Sequence, residues 1–201
     1  MPKGSPERAQ ARREEIVSAC AKLYETMSFK EITIRDIASC TSFTRPSIYN
    51  YFQTKEEIFL ALLRREYEWW TKALEALRPS GRGEFRLEAA DKIARTLADR
   101  ELLLKLLSSN LNEMERNSRM EHLVEFKAAY GASVRAVKGC LERFCPGMEE
   151  REREDFICSF FPFVYGIHPC TAVSDMQKRA MDQAGISYRC MTVYEMAFLG
   201  V

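Results

Sequence analysis

Histidine is scarce in this chain: His122 and His168 are the only two, and no serine sits in a glycine-flanked elbow beside which either could act. A hydrolase of the triad type is therefore not expected, and no other catalytic set stands out, so the chain is not read as an enzyme. Proline and glycine are also sparse, at 7 and 9 of 201 residues, which argues against a loop-rich or disordered chain. No long alternation of β-branched residues occurs, while Ala, Leu, Glu, Arg and Met abound, so an all-α fold is expected. No run of about 18 apolar residues is present to span a membrane. Nor does an apolar segment follow a basic start, so no signal peptide is expected and the cytoplasm is the expected compartment. The 7 cysteines, at positions 20, 40, 140, 145, 158, 170 and 190, are odd in number and lack C-x-x-C spacing. That pattern fits reduced thiols, several of them buried as small hydrophobes. His168 with Cys158 and Cys170 falls short of a closed metal site, so neither metal nor cofactor is expected.

Net charge is equally uninformative. At +1 it makes no global case for a nucleic-acid partner. The start of the chain differs: Lys3, Arg8, Arg12 and Arg13 stand against Glu7 alone. One end suited to a polyanion, the other to protein and a small molecule, fits that distribution.

What the chain does have is a punctuated series of amphipathic helices. Residues 1–8 read as a flexible arm. A helix over 9–27 carries the stripe Ile16, Cys20, Leu23, Tyr24 and Met27. Thr33 and Asp36 have capping-box spacing before Ile34, Ile37 and Ala38. The pattern breaks at Cys40-Thr41-Ser42, Phe43 is an apolar plug, and Thr44 is a fitting N-cap with Pro46 in the first turn of the next helix. Within 44–52, Ile48 and Phe52 point inward together. Arg45, Ser47, Tyr49, Asn50 and Tyr51 remain on the other face, a set suited to phosphates and base edges of a duplex.

A second capping box, Thr54 to Glu57, opens a long helix through Ile58, Phe59, Leu62, Leu63, Tyr67, Trp69 and Trp70 to about Leu77. Trp69 and Trp70 are adjacent, so one is expected to be exposed. Residues 78–83 form the clearest break. Beyond it, helices are expected over 84–99, 100–108, 114–144 and 149–167, with a kink at Pro162 and a break at His168-Pro169-Cys170. Thr171 is expected to cap a further helix ending at Gly185, and a last one begins near Thr192.

Residues 12–65 resemble the N-terminal domain of the tetracycline-repressor family. Ile16, Ala19, Leu23, Phe29, Thr33, Ile37-Ala38, Phe43-Thr44, Ser47, Ile48, Tyr49, Tyr51-Phe52 and Lys55 carry the resemblance, most specifically in the run I-Y-N-Y-F-Q-T-K-E-E-I-F. Two positions depart from it. Ser42 stands where the family has a turn glycine, which implies a strained backbone angle there. Pro46 replaces a small residue, which implies an altered groove fit.

The resemblance implies an N-terminal three-helix helix-turn-helix DNA-binding domain over 9–53 and a connecting helix over 54–78. A helical bundle over 79–201 would bind ligand and dimerise. By motif, Thr33, Tyr49, Tyr51 and Lys55 would hold phosphates, and Arg45, Ser47 and Asn50 would lie nearest base edges. Thr44 and Pro46 complete the expected contact surface. The helical core positions Tyr67, Trp70, Leu103, Leu107, Phe126, Tyr130, Phe160 and Phe163 are candidates for lining a ligand cavity. The expected function is a ligand-responsive transcriptional repressor. Its implied partners are double-stranded operator DNA, a second copy of itself and a small-molecule effector, with no membrane. The competing reading keeps the fold but makes it a protein-interaction module without an operator.

Overall fold

A computed structural model describes residues 5–80 and 85–201. Residues 1–4 of the expected arm and Gly81-Arg82-Gly83 of the expected break lie outside that range. All regular elements among the described residues are helical: α1 (Pro6–Thr26), α2 (Ile34–Ser39), α3 (Arg45–Ile48), α4 (Lys55–Ala76), α5 (Phe85–Ala98), α6 (Glu101–Leu107), α7 (Leu111–Arg116), α8 (Met120–Phe144), α9 (Glu150–Thr171), α10 (Asp175–Gln183) and α11 (Val193–Gly200). They form two compact units: the chain to Arg65 with Ser109–Ala129, and Glu66–Ser108 with Tyr130–Val201. Helices α4 and α8 each contribute residues to both.

The first unit is built on α1. Ser5 accepts the Arg8 amide and Pro6 occupies the first turn, where its missing N–H is no loss. Residues 5–8 are thus the start of the helix rather than an arm. Ile16, Val17, Cys20 and Tyr24 are buried along α1. The Tyr24 ring meets Phe59 of α4 edge-on at 5.2 Å, and Phe29 meets the same ring at 4.7 Å. The Tyr24 hydroxyl donates to Ser109 Oγ at 3.1 Å, which brings the 109–129 segment into this unit.

One expected long helix over 114–144 is two. It breaks at Asn117–Arg119, where Arg119 leaves the helical path to place its amide and guanidinium on Glu57. No local sequence signal marks this break; its cause is a residue 62 positions away.

The second unit centres on Trp70, which is fully buried while Trp69 is 41% exposed. Trp70 Nε1 donates to Thr96 Oγ1 at 3.0 Å, and Thr96 donates on to Ile93 O at 2.7 Å. Around it Tyr67, Tyr130, Phe160 and Phe161 form a chain of ring contacts 5.3–6.3 Å apart. Helix α11 closes on α5, where Tyr194 Oη donates to Asp91 at 2.6 Å. The Thr192–Glu195 capping box sets its start.

Helix α9 does not break at Pro169; it continues to Thr171. Pro169 falls in the last turn, where its missing N–H removes one helical bond, to Tyr165 O, and the bonds that follow still close the turn. The Thr171 hydroxyl bonds Ile167 O at 3.0 Å and the Ala172 amide bonds His168 O at 2.8 Å. Thr171 therefore ends α9 instead of capping α10, which is capped by Ser174 with Gln177. Pro162 also lies inside α9, on an exposed face with Cys158 and Ser159, where a freed carbonyl can be hydrated. No single helix among the described residues is long and apolar enough to cross a membrane.

Removing the Trp70 side chain tests this core. Trp70→Ala should lower unfolding stability in urea by about 3–5 kcal/mol, with a smaller loss for Trp70→Phe, which keeps most of the ring but not the bond to Thr96.

Candidate nucleic-acid interface

The candidate surface begins with two local caps. Thr33 and Asp36 form the reciprocal box: the Asp36 carboxylate accepts the Thr33 amide at 2.9 Å, and the Thr33 hydroxyl accepts the Asp36 amide. Hydrogen bonds from Thr33 hold the Asp36 carboxyl below its usual range. The turn that follows is not strained at Ser42. Among the described residues, Asn110 is the non-glycine residue with positive φ, so Ser42 does without the left-handed conformation a glycine would supply. Its amide instead donates to a Glu15 carboxylate oxygen at 2.6 Å, tying the turn to α1.

The expected helix over 44–52 is shorter than its pattern. Regular α-helix covers Arg45–Ile48 only, and the chain then tightens into turns, with the Tyr51 amide bonding Ile48 O at 2.9 Å and the Phe52 amide bonding the same oxygen at 3.0 Å. Thr44 is the N-cap residue, but its hydroxyl pairs with Ser47 Oγ at 3.0 Å rather than with the backbone. Ile48 and Phe52 are both buried. Thr33, Thr44, Arg45, Pro46, Tyr49 and Asn50 are exposed, and Ser47, Tyr51 and Lys55 are half-buried.

Two arginine–tyrosine pairs mark this surface. Arg45 donates from Nε and Nη2 to Tyr49 Oη at 3.3 and 3.1 Å, and stacks over the Tyr49 ring. Arg12 donates to Tyr51 Oη at 3.3 Å and lies over the Phe43 ring. Each guanidinium occupies a phenol oxygen as acceptor, which leaves the phenolic proton to donate outward, as to a phosphate oxygen. Arg12 was visible in the sequence only as one of several early charges; nothing local placed it beside Tyr51.

Lys55 stands apart. Its ammonium donates to the carbonyls of Phe29, Ile32 and Lys30 at 2.7, 3.2 and 3.4 Å and lies over the Phe29 ring. Those bonds tie the turn between α1 and α2 to the start of α4. A phosphate contact would require the ammonium to leave them.

Behind the surface lies a charged cluster that the sequence did not suggest. Half of the expected Thr54–Glu57 box forms, the Thr54 hydroxyl accepting the Glu57 amide at 3.2 Å, while the Glu57 carboxylate accepts the Gln53 amide at 2.7 Å instead of the Thr54 amide. The carboxylate also accepts Arg119 N, Nε and Nη2 at 3.0, 2.7 and 3.0 Å. Arg119 Nη2 donates further to Tyr51 O at 3.2 Å. His122 stacks on Phe52, with centroids 5.5 Å apart, and its Nε2 lies 3.0 Å from Arg119 Nη2. An arginine can only donate, so in this contact Nε2 accepts; Nη2 has two hydrogens for Glu57 Oε2, Tyr51 O and His122 Nε2, so one is shared between acceptors. Burial pushes the Glu57 carboxyl up, but the bonds from Arg119 and the two amides outweigh it and leave it below the usual range. Burial lowers His122, Glu57 opposes that, and Arg119 reinforces it.

The cavity candidates are only partly brought together. Tyr67, Trp70, Tyr130 and Phe160 share the aromatic cluster with Phe161, which the sequence reading did not select. Leu103 and Leu107 are buried in α6, and Phe163 packs against Gly200 of α11. Phe126 belongs to the first unit and the others to the second. None of them lines either of two grooves in the second unit. One, of 370 Å³, joins Ala73, Ala76 and Leu77 to Arg78, Lys92, Arg95 and Arg100. The other, of 340 Å³, lies among Pro169, Val173, Met181 and Tyr188. Among the described residues no three His, Cys, Asp or Glu side chains form a metal-binding group.

Comparison with known proteins gives two adjoining matches. The family model "Bacterial regulatory proteins, tetR family" covers residues 16–62, and "Tetracyclin repressor-like, C-terminal domain" covers 64–192. Among curated proteins, the HTH-type transcriptional repressor KstR2 of Mycolicibacterium smegmatis is 29% identical over 65 residues, which is 32% of this chain and 32% of that protein. The matched stretch thus spans about a third of that relative's length. Among solved structures, the fatty acid degradation regulator FadR from Bacillus halodurans is similar with a TM-score of 0.59 at 12% identity, over 98% of this chain and 95% of that one. FadR of Thermus thermophilus, solved in complex with lauroyl-CoA, gives 0.57 at 19% identity, over 94% and 90%.

The buried His122 makes stability depend on pH. Its folded pKa lies below the ordinary 6.5, so the unfolded chain binds the proton more readily, and its contribution is complete above about pH 6.5 and lost as pH falls. His168, also lowered by burial, acts in the same direction. The melting temperature should fall between about pH 7 and about pH 5, and His122→Asn should reduce that dependence, the remainder coming from His168 and from lowered carboxyls such as Asp36 and Glu57.

Proposed function

This chain belongs to the tetracycline-repressor family, and we propose that it is a DNA-binding transcriptional regulator, a repressor released from operator DNA by a small-molecule effector. The observation that carries the reading is the two-sidedness of residues 44–52. Ile48 and Phe52 are buried, while Arg45, Tyr49 and Asn50 face solvent. A guanidinium, an amide and a phenol on an anchored, exposed segment match what a major groove offers.

In this reading Tyr49, Tyr51, Thr33 and Thr44 hold phosphates, and Arg45, Ser47 and Asn50 lie nearest base edges, with Pro46 shaping the approach. Lys55 serves mainly as a brace, because its donors already hold the turn after α1. Arg12 joins the phosphate set through Tyr51. The chain acts as a cytoplasmic homodimer, with two recognition segments in successive major grooves about 10 base pairs apart.

The DNA-binding part is residues 9–53, α4 is the connection, and the effector and dimer surfaces lie in the remainder, apart from 109–129, which pack with the first unit. The lauroyl-CoA bound to a protein of similar fold is consistent with a small-molecule effector here. An effector that favours the non-binding state by a few kcal/mol is enough to release DNA. By linkage, operator DNA must weaken effector binding by the same factor.

Selection of duplexes from random DNA, followed by mobility shifts at several salt concentrations, tests this. The chain should select a near-palindrome and lose affinity log-linearly with salt. Arg45→Ala should cost about 1–3 kcal/mol and relax preference at one base position. Lys55→Ala should lower the melting temperature and leave the salt slope unchanged. Selection of no duplex would favour the protein-interaction reading.

A further inference from the structure

We propose that Arg119 and Glu57 are positioning residues for DNA binding: they fix the exit of the recognition segment without touching DNA. The inference rests on the DNA-binding reading above and adds to it two residues outside the helix-turn-helix face.

Helix α3 spans four residues and leaves its exit, Tyr49 to Gln53, in turns. The Tyr51 and Phe52 amides share one acceptor, Ile48 O, and Gln53 lies beyond the last of these turn bonds, so the exit draws on further supports. Tyr51, Phe52 and Gln53 are each held from the 117–122 segment or by Glu57. Arg119 Nη2 binds the Tyr51 carbonyl at 3.2 Å. His122 stacks on the Phe52 ring. Glu57 binds the Gln53 amide at 2.7 Å while receiving three bonds from Arg119. The Thr54 hydroxyl adds a bond to Asn117 O at 3.0 Å.

The chemistry of the pair fits bracing. Glu57 is fully buried, and among the described residues the bonds its carboxylate accepts come from Arg119 and the Gln53 amide. The planar guanidinium reaches a carboxylate and a carbonyl at once, which a point-charge ammonium does less well. The break between α7 and α8 supplies the geometry, because it frees the Arg119 amide to bind the same carboxylate as its side chain. The segment that grips the recognition exit is also the start of α8, a helix that continues into the second unit.

The test uses the full chain and the duplex that the parent selects from random DNA. Arg119→Ala should weaken binding to that duplex by roughly tenfold or more, with an unchanged salt slope, and should speed hydrogen exchange at the Gln53 amide. Arg119→Lys should recover part of both. If Arg119→Ala does not fold, Glu57→Gln, which keeps shape and removes charge, should give the same pair of effects. Parent-like binding with unaltered Gln53 exchange overturns the proposal. So does a salt slope flattened by about one unit, since that marks a phosphate contact. If the parent selects no duplex, the DNA-binding reading fails, and a Gln53 amide that exchanges no faster in either variant then overturns the clamp as well.

Discussion

A helix of four residues cannot hold itself. Isolated helices shorter than about 12 residues are marginal even in favourable sequences, so α3 exists only because its surroundings impose it. Ile48 and Phe52 supply the anchor; full burial of each contributes about 1.5–3 kcal/mol. Their burial commits one face of the segment to the core and leaves the other no place but solvent. The Glu15 carboxylate on the Ser42 amide holds the entry, and the Glu57 carboxylate on the Gln53 amide holds the exit. The rest of the first unit is arranged to provide these supports.

The same logic explains why 109–129 belong with the first unit. A helix-turn-helix of about fifty residues has a thin core, and small units struggle to bury enough apolar surface. Here Ser109, Asn117, Arg119 and His122 add polar and aromatic contacts to Tyr24, Thr54, Glu57 and Phe52. The second unit is different in kind. Its centre is aromatic, with one buried indole bonded to Thr96 and a chain of rings running out to Phe160. One groove reaches this centre through Thr96 and is lined by apolar side chains, cations and Asp99 together.

What could be read from the sequence was local. Thr33 with Asp36 and Thr54 with Glu57 are three residues apart; the first pair forms the full box its spacing implies and the second forms half of it. Ile48 and Phe52 share a face by periodicity, and both are buried. Adjacent tryptophans had to diverge, and they do. What could not be read depends on partners distant in the chain. The break before α8 answers to Glu57, and the role of Arg12 answers to Tyr51. The relaxed turn at Ser42 depends on Glu15, and the engagement of Lys55 depends on carbonyls of the preceding turn. Pro169 misled for a different reason: it falls within the last turn of α9, where the loss of one N–H does not end the helix.

The most direct test of the proposed interface is to follow backbone and side-chain NMR signals of the chain as its selected duplex is added. Shifts and protection concentrated at Arg45, Ser47, Tyr49, Asn50 and Tyr51, with Ile48 and Phe52 keeping their core environment, are the expected result. Unchanged signals across 44–52, with the changes instead on the second unit, would contradict it.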